Sequence, residues 1–107
     1  MEEEEREKAV RDLTAEPDTE RLWQTMLLFQ KEVFYTAKGL EFTYEIRGYE
    51  VFFSRKEKSV TRSTVEKAFQ KVQELEGHVA GPKKLGVFGA SYLYPVFQKL
   101  GLIREES

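Results

Sequence analysis

Residues 41–47 alternate polar and apolar side chains up to a single glycine, with an apolar return segment behind it, and few other patterns restrict a fold as tightly. Phe42, Tyr44 and Ile46 alternate with Glu41, Thr43, Glu45 and Arg47. A side-chain period of two belongs to a strand with one buried face. Gly48-Tyr49 then supplies a two-residue loop with glycine first, which is the type II′ pattern that joins antiparallel strands without splaying them. The return strand carries Val51 and Phe53 inward. Ile46 therefore faces Val51, Tyr44 faces Phe53, and Arg47 faces Glu50 on the outer side, leaving Phe52 beside Glu45. Because a lone hairpin is marginal in water, this one must lay its apolar face on helices.

The flanking segments supply those helices. After Pro17, Asp18 is placed as an N-cap with Glu20 in the first turn. Leu22, Trp23, Met26, Leu27, Phe29, Val33, Phe34 and Ala37 follow largely at spacings of three and four. The spacing predicts a long helix over about 19–38, closed by Lys38 and Gly39. Downstream, Thr61 is a capping residue, and Val60 and Val65 form a hydrophobic staple around it. Val65, Ala68, Phe69, Val72 and Leu75 make one stripe, so a helix is predicted over 61–76 and ends before Gly77. Residues 55–60 read as a basic connector and 78–90 as an irregular linker. A last short helix is predicted from Ser91 to Leu100, with Pro95 in its first turn because proline further in would break it. Residues 1–16 carry Ala9, Val10 and Leu13 at helical spacing among many acids, which fits either a short helix or a solvated arm.

The strands are consecutive and the helices are segregated from them. The expected fold is α+β, a single small domain over 1–107 with helices packed on an antiparallel β-hairpin. Its core is expected to include Trp23, Leu27, Phe34, Phe42, Tyr44, Ile46, Val51, Phe53, Val65, Phe69, Val72, Leu93, Phe97 and Leu100.

Charge is unevenly distributed. Residues 1–20 hold nine acids against three bases, whereas 55–84 hold eight bases against four acids. The remaining stretches are neutral, so the chain as a whole carries −2. Any polyanion would have to be held locally. Absence of cysteine excludes disulfides, thiolate metal sites and thiol nucleophiles. No apolar N-terminal run and no stretch near the ~20 apolar residues of a membrane span is present, so the expected setting is cytoplasmic, without membrane contact.

Catalysis finds little footing. His78 is the lone histidine, it follows a helix-ending glycine, and Asp12 and Asp18 are the only aspartates. No two-carboxylate acid–base pair is evident, and no catalytic residue, metal ligand or cofactor is expected. The run Gly81-Pro82-Lys83-Lys84-Leu85-Gly86-Val87-Phe88-Gly89 superficially suggests a phosphate loop. A P-loop, however, requires lysine and a hydroxyl residue directly after its second glycine, where Val87 and Phe88 stand. A structural crossover is the better reading.

Two binding readings remain. Protein interaction or self-association is the first, on the ground that Tyr35, Tyr49, Phe52, Tyr92 and Tyr94 exceed what a small core can absorb, and exposed aromatics anchor interfaces. The second is a DNA-binding, winged-helix-like module in which Arg55, Lys56, Lys58, Arg62, Lys67, Lys83 and Lys84 contact phosphates. Hydroxyls at Ser59, Thr61, Ser63 and Thr64 would lie at the start of the presenting helix. Capping alone also explains those hydroxyls. The acidic N-terminus is a further possible occupant of the basic block, in the same chain or a partner copy.

The segment from Ser54 to Ile103, with SRKEKSVTRSTVEKAF and GPKKLGVFGASYLYPVFQKLGLI, resembles small bacterial proteins of unknown function. The resemblance implies a bacterial, cytoplasmic setting and transfers no activity or site.

Overall fold

The computed structural model describes residues 2–55 and 58–104. Two helices open the chain, α1 (Glu2–Ala15) and α2 (Thr19–Leu28). A ladder of short strands follows: β1 (Phe34–Tyr35), β2 (Glu41–Phe42), β3 (Tyr44–Arg47), β4 (Glu50–Phe53) and β5 (Val60–Thr61). Then come α3 (Arg62–Glu74), a 3-10 turn (Pro82–Leu85) and α4 (Ala90–Lys99). The architecture is α+β.

The β3–β4 hairpin has the register that its alternation dictates. Tyr44 lies opposite Phe53, Glu45 opposite Phe52, Ile46 opposite Val51 and Arg47 opposite Glu50. Gly48 takes φ of 61° while Tyr49 stays at negative φ, which is the type II′ combination. Tyr44, Val51 and Phe53 are buried, and Ile46 is half-buried against the same core. The Tyr44 hydroxyl donates to the carbonyl of Met26 at 2.6 Å, and burial raises its ionisation far above the usual tyrosine range.

The long helix expected over 19–38 is half that length. It starts as predicted, with the Asp18 carboxylate accepting from the backbone N–H of Arg21 at 2.8 Å; that bond holds the Asp18 carboxyl below its ordinary pKa. It stops at Leu28. Lys31 adopts a left-handed φ of 68°, its N–H donates to the carbonyl of Tyr44 at 2.9 Å, and the Gln30 side-chain oxygen accepts from the N–H of Ile46 at 2.7 Å. Bonds to the edge of β3 thus replace the bonds a continued helix would make. The chain beyond, Val33-Phe34-Tyr35-Thr36, is β-branched and aromatic and forms β1. It pairs antiparallel with β2, Phe34 opposite Phe42 and Tyr35 opposite Glu41. Gly39, with φ of 83°, serves the turn between these strands rather than a helix end.

Two further expectations are corrected. The basic connector ends in β5, whose Val60 and Thr61 pair with Val51 and Glu50 to give a three-stranded sheet. Thr61 still caps α3, with its hydroxyl accepting from the N–H of Thr64. Helix α4 begins at Ala90 behind a left-handed Gly89, so Ser91 lies inside the helix and Pro95 sits beyond its first turn. The missing N–H leaves the Ser91 carbonyl without its helical donor, a loss of about 3 kcal/mol in an exposed helix interior. Full burial of Leu93, Val96, Phe97 and Leu100 offsets that loss, since each such side chain contributes roughly 1.5–3 kcal/mol.

Helix α1 resolves the choice between helix and arm. Leu13 is fully buried in the core, and Val10 packs at its margin. The Arg6 guanidinium lies 5.4 Å from the Phe29 ring centroid and pairs with Glu32 at 2.7 Å. Helix α1 packs on α2. Leu102 and Ile103 fold back as expected and are buried.

Candidate functional site

Arg62 occupies the middle of the basic block in sequence, but its side chain turns inward. It stands three residues before Val65 and seven before Phe69, so it shares the edge of the buried stripe of α3. Its Nη2 pairs with Glu20 of α2 at 2.8 Å and its Nε with Glu66 one turn on at 2.9 Å. The guanidinium lies over two aromatic rings, 5.3 Å from the Trp23 centroid and 5.7 Å from that of Tyr49. Its backbone N–H donates to the Tyr49 carbonyl at 2.7 Å. One residue thereby joins α2, the β3–β4 turn and α3. The two carboxylates raise the Arg62 pKa, and the hydrogen bond from Arg62 holds the Glu20 carboxyl below its ordinary range. A hollow of about 530 Å³ beside it is lined by Tyr49, Glu50, Thr61, Arg62, Ser63 and Glu66.

This geometry makes Arg62 a fastening between elements. Arg62→Ala is expected to lower stability by about 1–2 kcal/mol, through the lost stacking on Trp23 and Tyr49 and the lost packing of its stem. Arg62→Lys should recover only part of that, because an ammonium cannot hold both carboxylates in a planar fork. Urea denaturation of the two variants checks the claim; an Arg62→Ala protein as stable as the parent would contradict it.

The other basic residues fall into separate places. Arg55 is exposed, and its Nε donates to the carbonyl of Glu41. Lys58 is exposed beside Ser59, whose hydroxyl donates to Glu50 at 2.5 Å. Lys56 lies outside the described residues. Lys67 is exposed on α3, and Lys83 and Lys84 are exposed on the 3-10 turn, which packs against α3.

The five aromatics divide as well. Tyr92 stacks on Phe53 at 5.2 Å and meets Phe42 edge-on at 5.1 Å. The Tyr94 hydroxyl donates to the carbonyl of Val79 at 3.0 Å. Phe52 is half-buried beneath the Arg47 guanidinium at 5.1 Å. Tyr35 and Tyr49 remain 57% and 71% exposed. Tyr49 has one face against Arg62, whereas Tyr35 stands on the outer side of the β1–β2 hairpin. Val33, at 49% exposed, lies on that side too, and Leu40, at 47% exposed, follows the turn glycine and precedes β2. The clue to them was the β-branched, aromatic run at 33–36 followed by a glycine at 39, a second hairpin in miniature. Phe88, before α4, is also exposed.

Among the described residues, no group of three or more His, Cys, Asp and Glu side chains is arranged to hold a metal ion. No buried side-chain nitrogen or oxygen among them lacks a hydrogen-bond partner, and no helix among them is long and apolar enough to cross a membrane. The chain matches no protein-family model, no curated protein and no solved structure, so the functional reading rests on its own residues.

Proposed function

We infer that this chain is a non-enzymatic binding domain that engages a protein partner through the exposed apolar residues of the β1–β2 hairpin. The observation that carries the reading is the grouping of Val33, Tyr35 and Leu40, each about half exposed, on one two-stranded unit. Phe34, which lies between Val33 and Tyr35, is buried, as is its cross-strand partner Phe42. Scattered surface apolar residues are ordinary, but large ones gathered on a rigid element suit a partner's apolar surface. The clearly displaced ionisations also have structural causes. Asp18 caps a helix, Glu20 and Arg62 pair with each other, and Tyr44 is buried.

Site-specific photo-crosslinking in the source cell tests this reading. A benzophenone side chain at position 35 should give a discrete adduct with one protein. The adduct should vanish in a Val33→Ser/Leu40→Ser background. The same probe at exposed Gln24 of α2 should give none. Identical adducts from positions 35 and 24, or an adduct indifferent to the double substitution, would refute it.

A further inference from the structure

A second surface differs in kind from the hairpin. Lys67 and Lys71 are exposed one turn apart on α3, away from its buried stripe of Val65, Ala68, Phe69 and Val72. The turn that carries exposed Lys83 and Lys84 packs on the same helix. Among the described residues, the ammonium groups of Lys67, Lys83 and Lys84 make no hydrogen bond or ion pair. The acids that could compensate them are mostly committed elsewhere. Glu66 and Glu20 are both held by Arg62. Glu74 lies 3.9 Å from Lys71, a loose and exposed contact, and Glu76 follows at the helix end.

The composition of the face indicates what it fits. None of the large exposed apolar residues, Leu28, Val33, Tyr35, Leu40, Tyr49 and Phe88, lies on α3 or on the 3-10 turn. Protein interfaces take their energy from buried aromatic and arginine anchors and are depleted in lysine. A phosphate backbone needs only cations and neutral donors, and here the exposed Ser63 and Gln70 supply the donors beside the lysines. A helix the length of α3 covers about 20 Å, against which a duplex presents a phosphate charge about every 1.7 Å of its axis.

We propose that Lys67, Lys71, Lys83 and Lys84 form a surface that binds the phosphate backbone of duplex DNA without reading its sequence. Arg62, which the linear sequence places at the centre of the basic block, has no part in it. The proposal is independent of the hairpin interface.

Fluorescence anisotropy with a mixed-sequence 20-base-pair duplex, at several salt concentrations, tests it. Four phosphate contacts predict a log–log salt slope of about −3.6. Lys67→Gln/Lys71→Gln/Lys83→Gln/Lys84→Gln should weaken binding at least tenfold and flatten the slope, with unchanged circular dichroism because all four side chains are exposed. Glu74→Gln, which removes the acid beside Lys71, should tighten binding a few-fold. Val33→Ser/Tyr35→Ser/Leu40→Ser should leave it unchanged. No binding at low salt, or a quadruple variant that binds like the parent, would overturn the proposal. Polyglutamate that competes as well per charge as DNA would overturn the choice of nucleic acid in favour of an acidic polypeptide.

Discussion

Phe42→Ala is expected to remove about 3–5 kcal/mol of stability, a large share of the roughly 5–15 kcal/mol that holds a domain folded. Phe42 is almost fully buried where three units meet. Its ring stacks on Phe34 of β1 at 5.7 Å, meets Phe53 of β4 edge-on at 5.9 Å, and meets Tyr92 of α4 edge-on at 5.1 Å. Truncation leaves a cavity bordered by aromatic rings whose backbones belong to two separate sheets and a helix. The walls cannot collapse together, which places the cost toward the upper end of the range. Aromatic pairs contribute about 0.5–1.5 kcal/mol beyond area burial, so Phe42→Leu, which fills much of the volume, should still lose one or two kcal/mol. Tyr35→Ala provides the control. It lies on the same small hairpin but faces outward, and its effect should stay within about 0.5 kcal/mol. Urea denaturation monitored at Trp23 gives all three values. Equal losses for Phe42→Ala and Tyr35→Ala would mean that the hairpin is not packed as described.

The parts of this fold legible in the sequence are those where local chemistry and tertiary packing agree. The β3–β4 register follows from alternation, and a one-residue slip would expose Tyr44, Val51 and Phe53 together. The Thr61 cap and the stripe of α3 are equally local. The end of α2 is not, because it depends on Gln30 and Lys31 finding the edge of β3, sixteen and thirteen residues away along the chain. The apolar spacing of Phe29, Val33 and Phe34 suits a helix until that edge competes for the backbone. Strand β5 is two residues long, too short to establish a period. The basic block is a run along the chain, but helical phase sorts its members. Arg62 falls on the core edge of α3 and is consumed by Glu20, Glu66 and two rings, while Lys67 and Lys71 face outward. That division was available from the spacing of Arg62 to Val65 and Phe69. The position of Glu20, which completes the fastening, was not. The aromatic surplus divides as well. Tyr92 and Tyr94 follow Gly89 in a helix that carries Tyr92 onto Phe42 and Phe53 of the strands and Tyr94 to the Val79 carbonyl, a path no local pattern specifies. Val33 has the spacing of a helix interior.

Leu13→Ala is expected to cost about 2–4 kcal/mol and thereby to show that the acidic first helix belongs to the folded unit. A 14-residue helix is marginal alone in water, even with glutamates at its start to favour the dipole. What holds α1 is the burial of Leu13, with Val10 at the margin and Arg6 clasping Phe29 and Glu32. Of these, Leu13 alone is fully removed from water, so its truncation takes away the main apolar anchor. The remaining Arg6–Glu32 pair is partly exposed, and such pairs contribute little. Hydrogen exchange separates the two ways the helix could be attached. If α1 is integral, Leu13→Ala lowers protection in α1, α2 and the hairpin together, and the unfolding transition stays single. If α1 is an appendage on a domain that begins at α2, its own amides lose protection while Trp23 and the strands keep theirs, and the unfolding midpoint does not move. The first outcome is expected, because Leu13 lies in the same apolar cluster as Leu22, Trp23 and Leu100. The acidic helix is then held by its apolar side rather than by its charge.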